Sequence, residues 1–392
     1  MNNTHEVVEQ CLCCNSTDLV KFIDLGEQPL ANNLVDKKEQ GYINLPLEVN
    51  VCKACWHSQL SITVNPEILF KDYFYVTGTS KTMRDYCESL SSKLTSNTSK
   101  KNKKVLDIAC NDGTLLEKFY EKGWQVFGVE PANNLLPILR KKNINVENKF
   151  FGNEKVNFNT KFDLITALNV FAHVPNPLQF LLDASDILLD DGTILIQTSQ
   201  RNMVDKRQFD TVYHEHISFF SVKSMKALVE KAGLFINKIE TNKIHGDSYI
   251  FYVQKVNNPD YSVESLLRQE LEAGRYSLDT YLNFQTEIEY TRDLFLENIK
   301  GRKLIGFGAA AKGIVLLNFL NLKLSHIVDE NKLKQNKFLP KLGSKIVPLG
   351  FLDEQDEKSV IFILPWNFEK EIKSKISSKF TTITYFGENN GN

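Results

Sequence analysis

The stretch "VLDIACNDGTLL", Val105 to Leu116, decides the fold. Its opening "VLDIA" reads as a strand buried on both faces, because apolar residues run without an alternating pattern and only Asp107 interrupts them. A turn of Asn111, Asp112 and Gly113 follows, and Thr114 opens a helix. Further on, "VFGVEP" ends a second strand at Glu130. A strand, turn, helix and strand, with an acid near the end of each strand, begin a doubly wound sheet. Ligands of such sheets lie outside the carboxyl ends of the strands.

Strand and helix candidates alternate from there. "FDLITALNVF", "GTILIQTS" and "SYIFYVQKV" read as strands; "PLQFLLDASDILLD" and "VKSMKALVEKAG" read as helices. The alternation predicts a mostly parallel sheet covered on both faces. A second α/β unit begins at "RKLIGFGAAAKGIVLLNFL", with strands at "LSHIVD" and "SVIFILPW". Between the units, Tyr281, Phe284, Ile288, Phe295 and Ile299 recur at helical spacing, which predicts one long amphipathic helix over 261–300. Before the first unit, "SSKLTSNTSKKNKK" (91–104) reads as a polar linker, preceded by a small loop-rich module with short strands at "LVKFIDLG", "LPLEVNVC" and "HSQLSITV".

The ligand of the first unit follows from its turn. An acid after the second strand suits ribose hydroxyls, so both NAD and S-adenosylmethionine (SAM) are candidates. NAD carries a pyrophosphate, which needs glycines for close approach and a free helix N-terminus. The G-x-G-x-x-G pattern is absent, and Gly113 is the one glycine in the turn. The reading is therefore SAM, held by Asp107, Asn111, Gly113, Thr114 and Glu130. Asn169 and His173, in "TALNVFAHV", end a further strand at the same sheet edge.

Composition narrows the rest. Lys plus Arg (47) nearly balance Asp plus Glu (48), so no global field favours nucleic acid or an anionic membrane. No apolar run approaches the roughly 20 residues that span a bilayer, and the first ten residues lack the order of a signal peptide. The expectation is a cytoplasmic monomer. Five of the seven cysteines fall within residues 11–55. Cys11-x-x-Cys14 and Cys52-x-x-Cys55 place two thiolates each on one tight turn, the pattern of a closed, structural zinc site. Cys13 and His57 lie close enough to confuse that ligand set.

"TVYHEHISFF" (211–220) packs Tyr213, His214, Glu215 and His216 together. It is not H-E-x-x-H, so zinc on one helical face is excluded. In an extended segment Tyr213 and Glu215 would face one way, His214 and His216 the other. A histidine beside a carboxylate and a phenol suits removal of a proton from carbon; a hydrogen-bonded loop that fixes domain packing fits the same residues. In "IGFGAAAKG", Lys312 at a helix start would accept a phosphate or diphosphate, and a turn between packed elements would look similar. His245, in "KIHGDSYIF", reads either as a ligand contact or as a polar turn residue.

These motifs together resemble the nucleotide-sugar C-methyltransferases, typified by the dTDP-4-keto-deoxysugar C-3 methyltransferases. The resemblance spans nearly the whole chain through "DLGEQPLANNL", "LFKDYFYVTGTSKTMRDY", "NDGTLL", "GVEPANN", "NVFAHV", "FDTVYHEHISFFS", "GFGAAAKG", "IVDENKLKQNKFLP" and "PWNF". It implies an α/β protein in three parts: a zinc-binding lobe (1–72), a central Rossmann-like SAM domain (73–258) and a C-terminal Rossmann-like α/β domain (259–392) that binds the sugar nucleotide. It implies a nucleotide-diphosphate 4-keto sugar as substrate, His216 as general base, and Tyr213, Glu215 and His173 as its support. Tyr75, Thr79 and Ser80 fall in a segment expected to close over cofactor and sugar, and His245, Ser248 and Lys312 in regions expected to meet the substrate.

Two departures from the family pattern fall where substrate contacts are expected. "HGDSYI" puts Asp247 at a usual glycine and Ile250 at a usual arginine, and "TSQRNMVDKRQ" is unusually polar. The expected activity is SAM-dependent C-methylation beside the ketone. The rival readings are a sugar O- or N-methyltransferase, a non-catalytic SAM-binding assembly module and an NAD-linked oxidoreductase.

Overall fold

The computed structural model describes residues 4–73, 75–96, 102–244 and 247–386. Residues 97–101 of the polar stretch before the first buried strand, and His245, lie outside them. The helix Lys81–Thr95 takes up the first residues of that polar stretch.

Among the described residues three larger sheets carry the fold, beside the two-stranded pair of His5–Val7 and Ile62–Val64. In the N-terminal part, Leu19–Pro29 pairs antiparallel with Asn44–Cys52, which pairs with Ser58–Leu60. Leu45, Leu47, Val49 and Val51 are buried and alternate with partly exposed neighbours, the period-2 signature of a half-covered sheet. The central sheet has seven strands in the order Phe235–Asn242, Ser248–Gln254, Leu188–Thr198, Phe162–Leu168, Lys104–Ile108, Gln125–Val129, Asn145–Glu147. The last five run parallel, and Ser248–Gln254 enters antiparallel between Phe235–Asn242 and Leu188–Thr198. Chain order reverses beside Lys104–Ile108, and such a switch point opens a crevice at the strand ends. The C-terminal sheet has five parallel strands around Leu304–Phe307.

The structure departs from the sequence reading in three places. Residues 261–300 do not form one helix: Tyr261–Glu272 ends before Gly274 at φ +73°, and the chain resumes with Asp279–Leu282 and Phe284–Ile299. The apolar stripe still lies buried. The polar strand Phe235–Asn242 pairs along the whole of Ser248–Gln254. The strand Ser218–Phe219, central in sequence, completes the N-terminal sheet by pairing with Gln59 and Ser58.

The parts share one apolar core, in which Ile23 and Val49 meet Phe209, Phe284, Ile314 and Leu317. The polar segment 199–208 is explained by what it meets. Asp205 binds Arg275, Arg207 binds Glu287, and Asn202 with Lys206 binds Asp247. Asp247 sits at φ +74°, a conformation that side chains rarely adopt, with its carboxylate tied at both partners. Ile250, at the other departure, is buried within its strand.

Arg275 and Glu270 are both buried. Glu270 accepts from Arg275 Nη1 (2.9 Å), from the Tyr249 and Tyr276 hydroxyls and from the Val222 amide, so it caps the helix Val222–Lys231. Removing the cation would strand two carboxylates. Arg275→Met should cost roughly 3 to 5 kcal/mol of stability, read as a lowered urea midpoint; a shift worth under about 1 kcal/mol would show that the network is replaceable.

Candidate active site and four-cysteine centre

At the switch point the chain makes an unusual turn. Ala109, Asn111 and Gly113 all have positive φ, and Gly113 opens the helix Thr114–Glu121 at φ +77°. The positive φ favours glycine there, and a Cβ on Gly113 would also lie 2.3 Å from the tip of the Ile144 side chain, which would have to move. The segment before the helix Lys81–Thr95 is strapped onto this turn. Thr77 N–H donates to Asn111 Oδ1 (2.9 Å), Gly78 N–H to Asp112 Oδ2 (3.1 Å), and Asn111 Nδ2 to the Tyr75 carbonyl (3.0 Å).

Strap and turn border a cavity of about 360 Å³. Asp107, Asn111, Thr114, Glu130, Asn169 and Tyr75 line one end, and Tyr213, His216 and His173 another. Asn32 comes from the N-terminal part, and Lys312, Lys334 and Asn367 from the C-terminal part. The two flanking parts meet beside it: Val35 and Phe338 bond each other's backbone, and Lys337 pairs with Asp36.

The cofactor end is rich in acceptors. Thr166 donates to Asp107 Oδ1 (2.6 Å), and the Asn111 and Ala132 amides donate to the two oxygens of Glu130. Burial pushes both carboxyls up to about 7. Asn169 holds φ +57°, and its Oδ1 is buried without a hydrogen-bond partner. SAM offers ribose hydroxyls and an ammonium group, all donors, so these residues fit it. Its purine could meet the apolar wall of Ile108, Leu115 and Val129.

At the other end the segment 213–216 is a turn rather than extended, closed by the His216 amide on the Tyr213 carbonyl (2.8 Å). The turn brings together the two residues that an extended segment would separate. Tyr213 Oη lies 2.8 Å from His216 Nε2, and His216 Nδ1 lies 2.7 Å from the Thr211 carbonyl. A carbonyl only accepts, so Nδ1 carries the proton, and in the neutral ring Nε2 carries the lone pair. His173 stacks on Phe70 and lies 5.0 Å from the His216 ring; burial lowers it to about 4, so it is neutral. Burial also holds the Tyr213 phenol protonated.

Other candidate residues lie outside the cavity wall. His214 faces the Pro46 carbonyl (3.2 Å). Thr79 closes its own turn onto Val76, and Ser80 caps the helix Lys81–Thr95. Ser248 donates to the Ile244 carbonyl inside the sheet. Glu215 is buried behind the wall, where Asn32 Nδ2 (2.6 Å) and Tyr73 Oη (3.4 Å) donate to it; burial pushes it up to about 7. Asn32, Tyr73, Lys334 and Asn367 line the cavity without having been singled out. All four fall inside strings that carry the resemblance; one-residue identities gave no further sign.

The cysteine reading gains geometry. The four Sγ atoms of Cys11, Cys14, Cys52 and Cys55 lie within 4.8 Å of one another, with Cys11–Cys55 at 3.5 Å and Cys14–Cys52 at 3.6 Å. Sulfurs about 2.3 Å from a tetrahedral zinc would stand about 3.8 Å apart. The two turns are also built alike. In each, the amide after the second cysteine returns to the first cysteine's carbonyl, and that residue, Asn15 or Trp56, has positive φ. Cys13 and His57 stand outside the cluster; His57 Nε2 meets Ser218 Oγ. The residues fit zinc, with no coordination position left for chemistry.

Three family models cover the chain in order: "Putative zinc binding domain" over 11–70, "Methyltransferase domain" over 80–238 and "C-methyltransferase C-terminal domain" over 243–384. The chain is 28% identical over 387 residues to C-methyltransferase NovU of Streptomyces niveus, covering 93% of this chain and 91% of that one. It is 24% identical to a ubiquinone biosynthesis O-methyltransferase of Hydrogenovibrio crunogenus over 35% of this chain and 64% of the relative. A solved magnesium protoporphyrin IX methyltransferase of Synechocystis PCC 6803 aligns with a TM-score of 0.40 at 12% identity, over 49% of this chain and all of that one.

Two outcomes are expected. Cys11→Ser should lose bound zinc and solubility together, because an incomplete site withholds metal-binding energy from folding; a soluble, zinc-free variant with an unchanged melting midpoint would contradict this. Asp107 stays protonated in the folded chain up to about pH 7 but ionises near 4 when unfolded. The folded state therefore holds the extra proton between those values, and stability falls as pH rises through them. Without SAM, Asp107→Asn should gain melting temperature over the parent at about pH 8 relative to about pH 4; an equal difference at both would refute the buried-acid account.

Proposed function

We propose, for a chain that belongs to a C-methyltransferase family and is a SAM-dependent methyltransferase, that its acceptor is a nucleotide-linked 4-keto deoxysugar methylated on the carbon beside the ketone. The observation that carries this reading is the fixed lone pair on His216 Nε2 at the wall of a cavity that also holds the SAM-type acceptors. A base is superfluous for a strong nucleophile but indispensable for carbon acidified only by a neighbouring ketone.

His216 would take the proton at Nε2, breaking the C–H bond and leaving the electron pair delocalised onto the ketone oxygen. Its Nδ1–H bond to the Thr211 carbonyl would hold the resulting imidazolium in place. Tyr213, bonded to Nε2 before substrate enters, would yield that nitrogen to the C–H and turn its O–H toward the developing oxyanion. Neutral His173 could donate to the same oxygen. SAM, when bound, supplies the electrophilic methyl group that the carbon captures. Tyr75 and the strap over Asn111 would exclude water.

The far end suits the nucleotide. Lys312, on the first turn of the helix Ala311–Phe319, and Lys334 give cations for a diphosphate. Lys334 is fixed by the Ala309 carbonyl (2.8 Å). Trp366, whose indole donates to Asp210, places Asn367 and Phe368 beside them.

His216→Asn should keep binding of S-adenosylhomocysteine while turnover on a panel of nucleotide-4-keto-6-deoxysugars falls roughly 10² to 10⁴-fold. The assay is mass and NMR analysis in D₂O, which reads a new carbon-bound methyl or deuterium at the carbon beside the ketone. Near-normal turnover would remove His216 from the base role, and a methyl on oxygen would replace the C-methyl reading.

A further inference from the structure

Glu215 stands next to His216 in sequence and is often the first carboxylate to suspect in such a site, yet it does not reach the cavity. It is 3% exposed, and its two oxygens are engaged from the cavity side by Asn32 Nδ2 and Tyr73 Oη. Those two residues form the wall that a ligand would meet. Asn32 arrives from the N-terminal part, just after the strand Leu19–Pro29. That strand pairs with Asn44–Cys52, whose last residue is a zinc ligand. On its other side the loop is held by the Val35–Phe338 backbone pair.

We infer that Asn32, not Glu215, is the substrate contact here: the four-cysteine lobe contributes a specificity-determining carboxamide to the sugar site, and Glu215 is the positioning residue that orients it with Tyr73. One Asn32 N–H is spent on Glu215. The carboxamide keeps one N–H donor and a carbonyl acceptor, and the Tyr73 oxygen, its proton committed, can still accept. A donor beside two acceptors matches a hydroxyl, which both gives and takes a hydrogen bond. A ketone would leave the acceptors unmatched. The ligand group is therefore a hydroxyl of the sugar ring. The inference rests on the nucleotide-sugar reading above.

The test uses the full-length zinc-loaded enzyme and the same panel, with members paired to differ by one ring hydroxyl. Asn32→Ala should raise KM for the hydroxylated member about 10- to 100-fold and narrow its preference over the deoxy partner. Affinity for S-adenosylhomocysteine and zinc content should stay at parental values. Glu215→Ala should copy that pattern, whereas Glu215→Gln, which retains an acceptor for Asn32, should recover much of it. An unchanged KM and preference in Asn32→Ala, or equal loss in Glu215→Gln and Glu215→Ala with the proton-exchange step abolished, would overturn the inference. Parent enzyme that methylates no panel member would overturn the substrate reading and this inference with it; parental turnover with an unaltered Asn32→Ala overturns this inference alone.

Discussion

The bond from His216 Nδ1 to the Thr211 carbonyl is what the site depends on. It fixes which ring nitrogen is basic, and it does so from backbone, which cannot change its protonation. That backbone belongs to the single turn Phe209–Thr211, pinned by Phe209 in the shared core and by Trp366 on Asp210. A histidine held this way needs no carboxylate partner, in contrast to serine-hydrolase arrangements in which a buried acid sets the tautomer. The neighbouring carboxyl, Glu215, is thereby released for other work.

Around that bond the cavity is electrically quiet. Burial holds His173 neutral and raises Asp107, Glu130 and Glu215 to about 7, so protonation balances near neutrality rather than freezing one charge state. Cations reach the cavity from two sides, Lys312 and Lys334 from the C-terminal part and Lys149 from the central part. Acceptors at the SAM turn, neutral aromatic groups around His216 and ammonium groups therefore share one cavity.

Much of this was written in local sequence. The buried strand before Asp107, the turn at Gly113, Glu130 and the two cysteine knuckles depend on residues within a few positions of each other, and all take the expected form. The misreadings are non-local. "TVYHEHISFF" looked extended because its alternation is real, but Tyr213 folds back on His216 once Ser218–Phe219 pairs with the N-terminal sheet. The helix over 261–300 breaks at Gly274, where Arg275 turns inward to meet Asp205 and Glu270. Thr79, Ser80 and Ser248 are polar residues near ligand motifs whose hydroxyls are consumed by local backbone. Asn32 was hidden for the opposite reason: only the meeting of three parts gives it a partner.

That late strand pairing has a consequence for how the chain comes off the ribosome. Ser218 closes the N-terminal sheet against Gln59, about 160 residues earlier, so the sheet stays open-edged through most of synthesis. An unpaired strand edge on a nascent chain invites the wrong neighbour. The two cysteine knuckles need only residues 11–55, and a metal clasp there can hold the early strands in register long before their final partner exists. The turn at 213–216 directly precedes the strand that closes this sheet, so the turn that carries His216 and the four-cysteine lobe are tied to one sheet.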